Sequence, residues 1–232
     1  MLDRALIAQA NAAFSDPWRC FGLEAKAAWL LENALGKNAP RKSFYRIAPE
    51  PILWSFWPEL SDLRLSQSRA LELTSLLTGQ RQSYRTKPIF GSDEQGRRFY
   101  FARHASPADL EAHLLAARCE QRLDIALTNL FLAVIHSHPF TDGNGRLARA
   151  LLLGLLAHSR LIDSPCLPLN SLFHARAAPL GRAFRAAVTQ GQRDLLQASL
   201  CAAIDEAAKL ACVTQEAAQP HINDTQTPRH PD

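Results

Sequence analysis

The sequence has no run of about 18 consecutive apolar residues, the length that a membrane-spanning helix needs. It also lacks the basic segment and following apolar segment of a secretory signal peptide, so we expect a cytoplasmic protein without a membrane anchor. Its five cysteines are odd in number and widely spaced, and none belongs to a C-x-x-C pair. This usage indicates reduced thiols and argues against a disulfide framework or a zinc site.

Blocks of Lys or Arg are absent too. The formal net charge is +4 and the pI about 8.9, but the charges are scattered along the chain. This distribution argues against a nucleic-acid-binding protein and is typical of a slightly basic soluble one. The 232 residues, of which 47% are hydrophobic, suffice for one sizeable domain with or without a helical extension.

The stretch with the richest chemistry runs from His138 to Arg149 and reads H-P-F-T-D-G-N-G-R-L-A-R. It joins two apolar runs, 125–136 and 147–156, and this pattern predicts a helix, a tight loop and a second helix. Glycine permits a positive φ and a close approach of the backbone to a ligand. We therefore expect the amides of Gly143, Asn144 and Gly145, together with the positive end of the second helix, to bind an anion such as phosphate.

The side chains around this loop fit a phosphate-transfer site. Arg146 and Arg149 are three residues apart, so they share a helix face and can hold successive phosphates. Asp142 is a hard oxygen ligand that suits Mg²⁺. His138 can accept a proton near neutral pH. His136 lies close by, but no third ligand follows at a fitting spacing, so we predict no metal site there.

These residues resemble the motif of the Fic (filamentation-induced-by-cAMP) family, H-P-F-x-[DE]-G-N-G-R-x-x-R, and meet every fixed position of it. A weaker resemblance extends over about residues 65–200. It implies a mainly α fold, a Fic-type helical bundle with a small β-hairpin flap. We accordingly predict an N-terminal helical extension with a proline-rich connector (1–62), a Fic core domain (63–212) and a disordered tail (213–232).

The resemblance implies a protein adenylyltransferase, which moves AMP from ATP to a Tyr, Ser or Thr hydroxyl of a target protein. His138 would be the general base, Gly143 to Arg149 would hold the phosphates of ATP, and Asp142 would hold Mg²⁺. Doc-type relatives have Lys in place of Gly145 and transfer the γ-phosphate, so Gly145 argues against that reaction. Transfer of another nucleotide moiety, from UTP or CDP-choline, and removal of AMP stay open, as does a non-catalytic nucleotide-binding regulatory module.

The resemblance also implies a docking place for the target. Two β-prone runs flank the turn-rich loop 91–96, which predicts a hairpin flap over residues 88–101. An extended segment of the target would pair with the open strand edge of this hairpin. The sequence names neither the target nor the oligomeric state, and it leaves a toxin with a separate antitoxin, a secreted effector and a housekeeping enzyme as alternatives.

A self-restraint is a further expectation. Many Fic proteins carry a helix with [ST]-x-x-x-E-[GN], whose Glu pairs with the second Arg of the motif. Glu32 and Asn33 fit the end of this pattern, but Ala28 stands where Ser or Thr is expected. A competing match, Ser68 to Glu72, is followed by Leu73 and is assigned to a helix of the core. Glu32 is therefore either an internal brake or a solvated glutamate on an Ala-rich helix.

Apolar spacing and end signals predict the remaining elements. We expect an irregular, proline-rich connector over 38–60, whose aromatic residues Trp54, Phe56 and Trp57 pack against the body of the protein. The predicted helices cover residues 2–14, 22–35, 63–77, 106–119, 123–136, 147–156, 171–189 and 194–211.

Overall fold

The computed structural model of the protein describes residues 1–14, 17–35, 48–92, 98–101 and 107–216. Within these ranges the fold is mainly α with one small hairpin, as the sequence predicted. Asp16, Gly36 and Ser106, whose residue types suit helix ends, lie outside the described ranges. No helix within these ranges has the length and apolar character to cross a bilayer.

The helices follow one another along the chain with only the hairpin between α6 and α7. They are α1 (Arg4–Ala13), α2 (Pro17–Cys20), α3 (Leu23–Leu35), α4 (Pro49–Ser55), α5 (Trp57–Ser61), α6 (Gln67–Thr78), α7 (Pro107–Cys119), α8 (Leu123–Ser137), α9 (Asn144–His158), α10 (Leu169–Ala175), α11 (Ala177–Gln190) and α12 (Arg193–Glu216). The strands β1 (Phe90–Ser92) and β2 (Arg98–Tyr100) are antiparallel, with Phe90 opposite Tyr100.

Helix α9, which opens with the second half of the motif, lies at the centre of the fold. It is apolar on nearly all sides, and its leucines at 151, 152, 155 and 156 are almost fully buried, as expected for a helix enclosed by others. Gly154 faces α5 so closely that an added Cβ would collide with the carbonyl of Leu60. The motif helix is thus fixed by contact with its neighbours.

The prediction of an irregular connector over 38–60 is wrong for its second half, which forms α4 and α5. Pro49, Pro51 and Pro58 all lie in the first turn of one of these helices. The N–H groups of a first turn have no acceptor within the helix, so proline starts a helix there without losing a hydrogen bond. The predicted packing is confirmed, because Phe56 and Trp57 are buried in the core.

Other helix ends differ from the prediction in ways that have local causes. Helix α6 begins at Gln67 because Ser66 caps it, accepting from the backbone N–H of Arg69 at 3.4 Å. It ends at Gly79, which has the left-handed conformation. The single helix predicted over 171–189 is two, α10 and α11. Pro179 explains the break, since its ring would clash with the carbonyl four residues earlier in a continuous helix.

The N-terminal helices share the hydrophobic core with the rest of the chain. Ile7, on α1, and Leu23, on α3, are buried in the same cluster as Ile204, on α12. The backbone N–H of Asp3 also donates to Asp205 Oδ1 at 2.9 Å. Helix α12 extends to Glu216, so residues 213–216 of the predicted tail are helical, and residues 217–232 lie outside the described ranges.

Candidate active site

The backbone of His138 has an unusual conformation at the end of α8. Its φ of 47° and ψ of 59° are left-handed, which is rare for a residue with a side chain and is often found at functional sites. The buried guanidinium of Arg85 stabilises this turn, because Nε donates to the carbonyl of His138 at 2.9 Å and Nη2 to that of Ser137 at 2.8 Å. Arg85 escaped the sequence analysis, since the pairing of distant segments leaves no local signal.

The imidazole of His138 is held in one tautomer. Its Nδ1 lies 3.0 Å from the carbonyl oxygen of Ile135. A carbonyl can only accept, so Nδ1 carries the hydrogen and Nε2 keeps its lone pair. Burial lowers the pKa of His138 most strongly; the Ile135 carbonyl raises it, Arg85 lowers it and Asp142 raises it, with a net lowering. His138 is therefore a neutral base at physiological pH.

Phe101, directly after β2, covers the ring of His138. The two ring centroids are 4.4 Å apart, and the ring of Phe184 on α11 lies 6.4 Å from that of Phe101. The flap thus contributes an apolar wall to the proton acceptor. The sequence indicated Phe101 only as the end of a β-prone run, because nothing in its neighbourhood specifies what the side chain contacts.

Replacing Phe101 with serine should shift the acid-side inflection of the pH–activity profile to higher pH. With Phe101 in place, the lowered pKa of His138 puts this inflection below 6.5, and loss of the apolar cover rehydrates the imidazolium and raises its pKa. Phe101→Leu keeps an apolar cover and should leave the inflection near its original pH. Equal profiles for Phe101→Ser and the wild type would show that the phenyl ring does not set this pKa.

Main-chain pairing holds the loop that follows His138. Tyr84 and Phe140 form an antiparallel bridge, and the backbone N–H of Arg85 donates to the carbonyl of Pro139 at 2.8 Å. The side chain of Asn144 closes the loop, because Oδ1 accepts from the N–H of Phe140 and Nδ2 donates to its carbonyl, each at 2.9 Å. Phe140 is fully buried and anchors the loop in the hydrophobic core.

Gly143 begins α9 with a φ of 82°, as expected. An added Cβ would lie 2.6 Å from Cγ2 of Thr74 and 2.7 Å from Cγ2 of Thr78. Its N–H donates to Asp142 Oδ1 at 2.6 Å, so a phosphate bound there would replace this carboxylate as the acceptor. The N–H of Asp142 donates in turn to Gln82 Oε1 at 3.0 Å, which fixes the start of the turn.

Gly145 does not have the positive φ that was expected, because it lies within the first turn of α9. What its lack of a side chain allows is the approach of Arg149. A Cβ at position 145 would lie 3.3 Å from Nη1 of Arg149. A larger residue at position 145 would therefore push the guanidinium aside.

The two motif arginines face a cleft of about 100 Å³ between α9 and the N-terminal helices. Its walls come from the starts of α3 and α4, the end of α6, and α9 and α10. The lining residues are Gly22, Glu24, Ala25, Ala48, Pro49, Glu50, Leu77, Arg146, Arg149, Asn170 and His174. Small-molecule pockets usually measure about 300–1,000 Å³. This cleft therefore suits one polar group of a ligand, such as a terminal phosphate.

Each arginine is oriented by a hydrogen bond. Arg146 Nη1 donates to the carbonyl of Leu77 at 3.1 Å, and Arg149 Nε donates to Asn170 Oδ1 at 2.6 Å. Asn170 is fixed by Glu24, whose Oε1 accepts from its backbone N–H at 2.8 Å and from Nδ2 at 3.1 Å. The other oxygen of Glu24 accepts from the N–H of Ser171 at 2.8 Å. Glu24 therefore caps α10 and positions Arg149 through Asn170.

Glu50 is a second buried acid, and it contacts Glu24. Glu50 Oε1 accepts from the backbone N–H of Glu24 at 2.8 Å, whereas its buried Oε2 has no hydrogen-bond partner in the part of the chain that the structure describes. Burial raises the pKa of both carboxyl groups. The sequence analysis missed Glu24, Glu50 and Asn170, since they belong to segments brought to the arginines only by folding. Glu32, which the sequence offered either as a brake or as a solvated glutamate, is not among the lining residues of the cleft.

The described residues include no group of three or more His, Cys, Asp or Glu side chains that could hold a metal ion. Mg²⁺ in phosphate-transfer sites keeps several waters and is bound through one or two carboxylates and the phosphates of the substrate. Asp142 is exposed beside the glycines, with one carboxylate oxygen engaged by the loop. It therefore fits the single protein ligand that such an ion needs.

Comparison with known proteins agrees with this geometry. Residues 63–156 match the model of the Fic/DOC family. The chain carries a Fic/DOC family domain. The match supports a Fic-type transferase in general, a class of enzyme that moves phosphate-linked groups of nucleotides. The matched region spans α6 to the core of α9, so it contains the flap, His138 and both arginines, whereas Glu24, Glu50 and Asn170 lie outside it.

Two solved structures share the fold. A Fic domain-containing signalling protein from Bacteroides thetaiotaomicron has a TM-score of 0.52 at 19% identity over 72% of this chain and 70% of its own. A Fic family protein from Desulfovibrio desulfuricans has a TM-score of 0.57 at 16% identity over 92% of this chain and 66% of its own. No curated protein sequence matches the chain.

Proposed function

We propose that this protein is an adenylyltransferase, which transfers AMP from ATP to a Tyr, Ser or Thr hydroxyl of a target protein. One observation carries the proposal. The imidazole of His138, held by Ile135 in the tautomer that accepts at Nε2, adjoins the first turn of a helix whose Arg146 and Arg149 face a small polar cleft. Such a base beside a phosphate-binding helix end suits transfer to a hydroxyl.

In this reaction the oxygen of the target hydroxyl forms a bond with the α-phosphorus of ATP, and the bond from that phosphorus to the bridging oxygen of the β-phosphate breaks. The hydroxyl proton passes to Nε2 of His138, and pyrophosphate leaves. Positioning and charge neutralisation dominate such phosphoryl chemistry. The start of α9 would bind the phosphates, and Arg146 and Arg149 would draw the terminal phosphate into the cleft while the nucleoside lies outside it.

Asp142 would hold Mg²⁺ against the phosphates, where the ion would neutralise the charge of the leaving pyrophosphate. Gly145 favours attack at the α-phosphate over transfer of the γ-phosphate. In the relatives that transfer the γ-phosphate a lysine stands there, and Arg149 lies too close to position 145 to tolerate that side chain without moving.

A nucleotide panel tests the proposal. The full chain is incubated with a lysate, Mg²⁺ and, in separate reactions, ATP labelled at the α-phosphate, ATP labelled at the γ-phosphate, UTP and CDP-choline, and the modified proteins are analysed by mass spectrometry. We expect the mass increase of AMP on a hydroxyl residue in both ATP reactions, label retained on the target only when it is at the α-phosphate, and no modification from UTP or CDP-choline. Labelling from the γ-phosphate, or from another nucleotide in preference to ATP, would overturn the adenylyl assignment.

Self-restraint through Glu32 or restraint by a separate antitoxin remains a proposal, and the structure supplies a matched control for it. Glu32→Gln should raise self-labelling strongly if Glu32 is an internal brake, and an unchanged rate would leave an external partner. Glu24→Gln removes the same charge from the same helix but loosens Asn170 and Arg149. We therefore expect transfer to fall by about 10-fold, the value of one charged hydrogen bond. Activation by Glu24→Gln would instead identify Glu24 as the brake.

A further inference from the structure

One face of the hairpin carries an exposed aromatic pair. Phe90 and Tyr100 are directly opposite each other on β1 and β2, with ring centroids 6.2 Å apart at 61°. The guanidinium of Arg98 lies 4.4 Å from the ring centroid of Phe90. Phe90 is 50% and Tyr100 65% exposed, which is unusual for large aromatic residues and is typical of a surface that binds a partner. We call Phe90, Arg98 and Tyr100 the outer face.

The opposite face of the hairpin looks towards the base. The N–H of Phe101 donates to the carbonyl of Ile89 at 3.3 Å, so Phe101 continues the ladder beyond Tyr100. Successive side chains of a strand point to opposite faces. Tyr100 accordingly points outward, and Phe101 points inward onto the ring of His138. The hairpin thus separates the proton acceptor from the outer face by the thickness of one sheet.

This alternation determines which side chains of an added target strand would contact the outer face. The inference depends on the proposed transfer to a protein hydroxyl. A target segment that pairs with an edge of the hairpin becomes a third strand, and its side chains alternate in step with those of β1 and β2. If its hydroxyl residue points inward to His138, the residues immediately before and after it point outward. These neighbours then lie beside Phe90, Arg98 and Tyr100.

The charge around the hairpin indicates the chemistry of the segment. The described residues 81–92 and 98–101 include four Lys or Arg side chains and no Asp or Glu. Lys87 and Arg98 are exposed members of this set. A basic surface favours an acidic partner and accelerates its association.

We propose that the outer face selects the target sequence. It takes an extended segment in which an aromatic or large apolar residue adjoins the modified hydroxyl residue and acidic residues flank that pair. Pairing of the main chain places the segment whatever its sequence, and the contact of this neighbouring side chain with Phe90 and Tyr100 supplies the discrimination. The acidic flanks meet Lys87 and Arg98.

The test uses the full chain and four synthetic peptides, each with one Tyr as acceptor. The residue next to Tyr is Phe or Ala, so Tyr carries the only hydroxyl, and the flanks are Glu or Lys. We expect kcat/KM for AMP transfer to be highest for the Phe peptide with Glu flanks and about 10-fold lower for its Ala counterpart, as fits the loss of one aromatic contact. Tyr100→Ser should erase the preference for Phe, whereas Leu115→Ser, at another exposed apolar residue, should keep it.

A charge-reversal variant distinguishes the loss of a specific contact from the unfolding of the hairpin. Arg98→Glu should shift the preference from Glu flanks to Lys flanks, a gain that an unfolded hairpin could not produce, and Arg193→Glu at an exposed site on α12 should leave it unchanged. Unaltered preferences in both flap variants would overturn the inference while the proposed function stands. If no nucleotide labels any peptide, the proposed function fails. The inference is then decided by the affinities of the peptides, measured by fluorescence anisotropy: the expected ranking would support it, and equal affinities would overturn it.

Discussion

Replacing His138 with asparagine should slow AMP transfer by about 10²–10⁴-fold, the usual contribution of a positioned general base. Asparagine tolerates the left-handed backbone that His138 has at the end of α8, so the loop and its phosphate-binding amides should stay in place. ATP affinity, measured by calorimetry, should therefore hardly change. The rate is measured as incorporation of α-labelled ATP into the target under single-turnover conditions.

The matched control is His136→Asn, which removes a second imidazole two residues away in the last turn of α8. This variant should transfer AMP at close to the wild-type rate. A His138→Asn protein that keeps the wild-type rate would exclude His138 as the base. A His138→Asn protein that binds ATP much more weakly would show that the ring orders the nucleotide site instead.

Gly143→Ala should destabilise the protein and disrupt the turn that we propose binds phosphate. An L-residue in the left-handed conformation costs about 1–2 kcal/mol, and the clash of the new methyl group with Thr74 and Thr78 should add about 1–3 kcal/mol, as overpacking does elsewhere. The free energy of unfolding, measured in urea, should fall by the sum. Transfer should fall as well, because this residue sets the direction of the first amides of α9.

Gly191→Ala separates the cost of the left-handed backbone conformation from the cost of the steric clash. Gly191 ends α11 with a φ of 71°, but a Cβ there would meet nothing within 4 Å. The free energy of unfolding of this variant should therefore fall only by the cost of the left-handed backbone, about 1–2 kcal/mol. Serine in place of Thr74 and Thr78 removes both methyl groups and should restore most of the difference in the Gly143→Ala background. Equal losses for the two alanine variants would show that the threonines yield without cost.

The sequence predicted the parts of this fold that local patterns specify. The apolar runs around the motif became α8 and α9, the predicted helix over 63–77 became α6, and the β-prone runs on either side of 91–96 became the hairpin. The error over 38–60 was also local in origin. Closely spaced prolines resemble a connector, and only the burial of Phe56 and Trp57 against the core makes helices of the segment that follows residue 48.

The sequence by itself determined which chemical groups the candidate site contains, because His138, Asp142, Arg146 and Arg149 come from one short motif whose spacing sets their order around a helix end. The tertiary structure alone decided their surroundings. Arg85 braces the turn of His138, Phe101 covers its ring, and Glu24 fixes Arg149 through Asn170. These contacts join residues tens to more than a hundred positions apart, and no local pattern records them because each arises only when separate helices pack into one core.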